Sequence, residues 1–272
     1  MTESVSPLRT VGFIGAGMMG RGMARHVLAA GHPVALLLRS EAGTSQCAEL
    51  LAGGYTQVCE FHYLHNALTG SPYANPAEMS LALVRAARRS GFGLTLLPTL
   101  YMRAGFSESG LRNDQRRFAS TPDSIVRIVE DVQRHTAGDA RINVGVAIHS
   151  LRAASPAALN ELAAYAHRAA LPVHIHIAEQ TQEVDDCLVH TGQRPIEWLL
   201  NHAEVDARWN LVHATHTTPA ELQGVQARGA SIVICPATEA NLGDGVFDLP
   251  GYAKVDGTWS IGSDSHVTRR WS

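Results

Sequence analysis

The chain has 272 residues, with 22 basic and 25 acidic side chains and a formal net charge of -3. That length supports one α/β barrel or two smaller domains around a sizeable core. The near-neutral balance, with short scattered pairs such as Arg88-Arg89 and Arg116-Arg117, leaves no basic footprint for nucleic acid.

Cys47, Cys59, Cys187 and Cys235 form no CxxC pair and no regular spacing, which argues against a disulfide framework or a structural zinc site and for a reducing compartment. No apolar run reaches the ~18 residues of a membrane span. No basic segment leads into a cleavable apolar stretch at the start. The expectation is a cytoplasmic protein with no membrane partner.

In chain order, the first pattern is Val11-Gly12-Phe13-Ile14-Gly15-Ala16-Gly17-Met18-Met19-Gly20, a short apolar strand running into G-x-G-x-x-G. A helix to about Ala30, a stop at Gly31 and a strand over Val34–Leu38 complete a Rossmann-like βαβ segment. Gly15 allows the tight turn, Gly17 a close pyrophosphate and Gly20 close helix–strand packing, with the anion at a helix N-terminus. Arg39, where an acidic residue would select NAD, suits the 2′-phosphate of NADP. Residues 10–40 resemble the first βαβ unit of the 3-hydroxyisobutyrate dehydrogenase family. The catalytic lysine and the helical domain of that family do not follow. The resemblance implies an NADP-binding oxidoreductase fragment, or a βαβ piece that binds nothing.

After Ala42, short β-branched runs alternate with amphipathic stretches, the pattern of βα units in a parallel sheet. The predicted strands are Gln57–Phe61, Leu94–Thr99, Asn143–Ile148, Val173–Ile177, Asn210–His213, Ser231–Cys235 and Trp259–Ser263. Helices are predicted around Pro76–Arg89, Pro122–His135, Pro156–Arg168, Pro195–Asn201 and Pro219–Arg228, each with proline near its first turn, where the missing N–H costs nothing. Seven strands leave one barrel position, which Val34–Leu38 can fill. The division expected is 1–42 for the βαβ segment and 43–272 for the barrel.

Polar residues gather at the C-terminal ends of these strands, where a (β/α) barrel carries its active site. They are Glu60 and His62, His149, His174 and His176, His213, and Asp264 with His266. Alternation sets His174 and His176 on one side of their strand, with Glu179 just beyond its end. His176, His213 and Asp264 make a histidine–histidine–aspartate set able to hold a divalent ion and leave a position for water.

The order of a strand-end His174-x-His176-x-Ala178-Glu179, a strand-end His213 and Gly262-Ser263-Asp264-Ser265-His266 resembles the amidohydrolase superfamily. The surrounding text narrows this, in Glu60-Phe61-His62-Tyr63-Leu64-His65, in Glu183-Val184-Asp185-Asp186-Cys187 and in Thr238-Glu239-Ala240-Asn241-Leu242-Gly243-Asp244-Gly245. From about Leu50 onward the chain is similar to the N-formimino-L-glutamate deiminase family.

That resemblance implies a TIM-type barrel and Zn2+ held by His176 and Asp264, with Glu179, His213 and Asp264 catalytic. It also implies a small substrate bearing carboxylates. Arg152 is the candidate fork for a carboxylate, with Tyr63 and His149 as further substrate contacts. The family's first strand ends in a His-x-His pair that adds two metal ligands. Here only His26 and His32 stand upstream of Gly54, and the chain ends at Ser272 directly after the last motif. The fold expected is therefore an incomplete (β/α)8 barrel behind a βαβ segment. Its metal affinity should be lowered beyond the ~10–100-fold typical of damage around the ligands. An inert folded barrel, or a homodimer pairing through an open sheet edge, is the non-enzyme alternative.

Overall fold

The computed structural model describes Val11–Gly12, Val34–Ala35, residues 56–262 and Asp264. Its centre is one parallel sheet whose strands are β1 (Val11–Gly12), β2 (Val34–Ala35), β3 (Gln57–His62), β4 (Gly93–Leu100), β5 (Ile142–Val144), β6 (Val146–Ile148), β7 (Val173–Ile177), β8 (Trp209–His213), β9 (Ser231–Ile234) and β10 (Thr258–Ile261). Neighbours run β1-β2-β3-β4-β6-β7-β8-β9-β10, with β5 paired to β4. The backbone of β1 also lies beside β10, so the order turns back on itself as a TIM-type barrel sheet does.

The helices are α1 (Glu78–Ser90), α2 (Pro122–Thr136), α3 (Pro156–Arg168), α4 (Thr181–Thr191), α5 (Pro195–His202), α6 (Pro219–Ala227), α7 (Pro236–Leu242) and α8 (Leu249–Lys254). Proline stands in the first turn of α2, α3, α5, α6, α7 and α8. Thr121 and Ser155 cap α2 and α3 through their side chains, and Thr218 with Glu221 closes a capping box on α6. On α2 the buried residues Ile125, Ile128, Val129 and Val132 recur at helical spacing and face the sheet. Each contributes about 1.5–3 kcal/mol of burial. Among the described residues no helix is long and apolar enough to cross a membrane.

Strand alternation divides the core in two. Leu96, Ile175, Ile177, Leu211, Ile232 and Ile234 pack outward under the helices, while Phe61, Leu97, Ala147, Val212, Val233 and Cys235 fill the interior. Cys59 and Tyr63 join the interior group. By the same alternation Glu60 and His62, expected at the mouth, share the side of Val58 and are buried there.

The seven strands expected after Ala42 agree with the structure to within two residues, with one exception, and of the expected Val34–Leu38 only Val34–Ala35 is among the described residues. Asn143–Ile148 is split at Gly145. A Cβ there would stand 2.7 Å from the Pro172 carbonyl oxygen and 2.8 Å from Leu97 Cδ2. The expected helix at Pro76 starts instead at Glu78, and α4, α7 and α8 were not foreseen. β1 and β2 pair in parallel, and Ala35 of β2 lies opposite Gln57 of β3. That is the barrel position proposed for this strand, in the same sheet as the rest. Gly15, Gly17, Gly20 and Arg39 lie outside the described residues.

Gly145→Ala should destabilise the protein by roughly 1–3 kcal/mol through overpacking. Differential scanning calorimetry should read this as a lower Tm, and an unchanged Tm would show that the close approach relaxes freely.

Candidate active site

Because the strands are parallel, their carboxyl ends share one rim. β7 and β8 pair with Ile177 opposite His213. The chain leaves these strands through left-handed residues that are not glycine: Ala178 at φ 52°, His213 at 72° and Ala214 at 51°. Asp264, beyond β10, has φ 53°. Such conformations cost of order 1 kcal/mol or more each and persist where the surroundings dictate them. The turns are held by Ala214 N–H donating to Ile177 O and His216 N–H to Ala178 O, both 3.0 Å. By alternation His213 would follow Leu211 to the helix side. The pleat ends at its left-handed φ, and the imidazole stacks on His176 with ring centroids 5.6 Å apart.

His176, His213 and Asp264 converge, each offering a donor atom, with these atoms within 4.8 Å of one another. His176 Nδ1 donates to the His149 carbonyl at 2.7 Å. A carbonyl can only accept, so the proton sits on Nδ1 and Nε2 presents its lone pair, the orientation a metal-binding imidazole needs. Burial, with His213 nearby, lowers the His176 pKa to about 4, so the ring is neutral at physiological pH. Two imidazoles and a carboxylate make a borderline N/O donor set that suits a divalent metal ion.

His213 is 1% exposed and lies between two carboxylates, with Nε2 3.6 Å from Glu179 Oε1 and Nδ1 3.4 Å from Glu239 Oε1. Burial opposes its charge, but Cys235, Glu239 and Glu179 outweigh it and hold the pKa well above the usual imidazole value. The Glu179 carboxyl is pushed up, chiefly by burial, with the His213 charge opposing and Asp264, Glu183 and Asp244 adding to the rise.

On the other flank, the His149 ring lies 5.0 Å from His176 and 5.6 Å from Tyr63. Tyr101 approaches His149 at 4.3 Å. Arg152, on the loop after β6, faces Glu183 with Nη1 3.5 Å from Oε2. Its charge reaches His149, His176 and Tyr101. The sequence-predicted His176, Glu179, His213, Asp264, Tyr63, His149 and Arg152 thus belong to one rim. His174 sits deeper, edge-on to Phe61 at 5.7 Å, and burial lowers its pKa to about 3. His266 lies outside the described residues.

Three contributors had no role in the sequence reading. Glu239 on α7 accepts from Cys235 N–H at 2.7 Å while facing His213. Cys235 is a fully buried neighbour of His213. Glu183 on α4 binds Glu179 N–H at 3.1 Å. Glu183 and Glu239 stood in the quoted motifs as carboxylates near a helix start, while Cys235 only closed an apolar strand run.

The chain belongs to the amidohydrolase family, whose family model matches residues 34–268. Among individual relatives, it is 47% identical over 220 residues to the formimidoylglutamate deiminase of Pseudomonas aeruginosa, covering 81% of this chain and 48% of that protein. An amidohydrolase crystal structure from Brucella melitensis superposes with TM-score 0.78 at 36% identity, over 94% of this chain and 61% of that one. A zinc-bound adenosine deaminase from Xanthomonas campestris shares the fold, with TM-score 0.67 at 24% identity. The chain spans about half the length of the Pseudomonas relative. The family match begins inside the stretch that resembled a dehydrogenase unit.

Burial raises the Cys235 thiol to about 11. Iodoacetamide at pH 8 should leave Cys235 unmodified in the folded protein and label it in urea, as read by peptide mass mapping. Rapid labelling of the native protein would mean that the rim opens.

Proposed function

We propose that this chain carries the site of a zinc-dependent deiminase that converts N-formimino-L-glutamate and water to N-formyl-L-glutamate and ammonia. The observation that carries the reading is the convergence of His176, His213 and Asp264 within 4.8 Å, with Glu179 3.6 Å from His213. The similarity to a formimidoylglutamate deiminase supports the choice of substrate.

His176 and Asp264 would hold the ion, with His213 in reach of the same point. When bound, a divalent ion supplies Lewis acidity and brings the pKa of water toward neutrality. Asp264 takes a proton from the attacking water as its oxygen bonds to the formimino carbon. His213, buried between Glu179 and Glu239, would steady the tetrahedral adduct through a hydrogen bond. Glu179, whose raised pKa lets it carry a proton, delivers that proton to the terminal nitrogen. The proton held by Asp264 then passes to the same nitrogen as the carbon–nitrogen bond breaks and ammonia leaves, while the adduct's hydroxyl gives its proton back to Glu179 and the formyl carbonyl remains. Arg152 anchors a substrate carboxylate through two parallel N–H donors, and Tyr63 and His149 flank it.

Metal analysis of the zinc-loaded chain and an ammonia assay on N-formimino-L-glutamate test the reading. Glu179→Gln should lower kcat by roughly 10²–10⁴-fold. Asp264→Asn should reduce both metal content and turnover. A parent chain with neither bound divalent metal nor ammonia release would end the deiminase proposal.

A further inference from the structure

Glu183 stands in the first turn of α4, and its side chain is only 2% exposed. One oxygen, Oε2, accepts from the Glu179 N–H at 3.1 Å and faces Arg152 Nη1 at 3.5 Å. Its other oxygen, Oε1, is buried with no hydrogen-bond partner among the described residues. Burial pushes this carboxyl up, and Arg152 pulls it down.

A glutamate at the third helical position often reaches back to cap its own helix N-terminus. Two details go beyond a cap. The N–H it takes belongs to Glu179, directly after the left-handed Ala178. Its charge is opposite an arginine from a different loop, the one after β6. A buried charge is costly unless paired, so this carboxylate has reason to bind both groups at once.

We infer that Glu183 is a positioning residue: one buried carboxylate that aims Glu179 at the reacting centre and sets Arg152 for the substrate's carboxylate. The inference rests on the deiminase reading of the rim. Through Glu183 the two ends of the substrate are gripped at a set separation, since the arm that protonates the leaving nitrogen and the arm that binds the carboxylate share one anchor.

Two substitutions separate the two arms. Glu183→Gln keeps an oxygen for the Glu179 N–H and removes the charge opposite Arg152. Glu183→Ala removes both. The metal-loaded full chain and each variant are assayed on N-formimino-L-glutamate, and N-formyl-L-glutamate binding is measured by isothermal titration calorimetry. The exposed Asp186→Asn, on the same helix, is the control. E183Q should raise KM and weaken N-formyl-L-glutamate binding by roughly tenfold, as loss of a supporting partner does. E183A should add a fall in kcat on the order of 10²-fold from a misplaced Glu179.

Binding and KM equal to the parent in E183Q would overturn the inference. So would a fall in kcat at constant KM in both variants together with a lowered Tm, which marks a structural cap alone. A parent that binds N-formyl-L-glutamate in a Glu183-dependent way yet releases no ammonia refutes the deiminase reading while upholding the link between Glu183 and Arg152. A parent with neither property refutes both.

Discussion

Parallel pairing of β6 through β10 is the constraint on which everything at the rim rests. Hydrogen bonding in one direction means that every strand ends on the same side, so segments far apart in sequence deliver side chains to one level. The register between β7 and β8, with Ile177 opposite His213, fixes the height of the two imidazoles. The outward residues Ile175, Ile177 and Leu211 hold that register by burying their side chains under the helices. A one-residue slip would exchange the inward and outward sets of a strand, turning His176 into the helical layer. The apolar outer face therefore protects the polar rim.

Much of this was legible in the chain. Apolar runs located the strands because both faces of a parallel sheet are covered, and prolines marked helix starts because their missing N–H is harmless there. The rim could be anticipated because chemistry-bearing residues recur at strand ends. What could not be read depended on partners distant in sequence or on local backbone form. Alternation alone would have turned His213 outward, and the left-handed φ that ends the strand there has no signature in a Leu-Val-His run. Glu60 and His62 looked like mouth residues because they end a strand, yet the interior side of β3 belongs to Cys59, Phe61 and Tyr63. At Gly145 a Cβ would press on the Pro172 carbonyl and Leu97, neither of them a sequence neighbour. Glu183 and Glu239 were visible as letters, but their roles lie in what they touch.

Electrostatically the rim is two unlike halves joined at His176. On one side the carboxyl groups of Glu179 and Glu239 flank His213. On the other, Arg152 stands near His149 and Tyr101. The His149 carbonyl, by fixing the proton on His176, links both halves through a single backbone atom.

The left-handed exits at Ala178, His213, Ala214 and Asp264 bear on how this molecule can change over generations. Two of the four, Ala178 and Ala214, are not residues that adopt such a backbone easily, so the rim is kept in tension by the sheet beneath it. Glycine at Ala178 or Ala214 would release local strain but also widen the range of shapes open to the unfolded chain. Improvement in one respect is therefore tied to loss in the other. Drift at these positions is confined to narrow choices, while the helical shell remains free to vary as long as its apolar stripes persist.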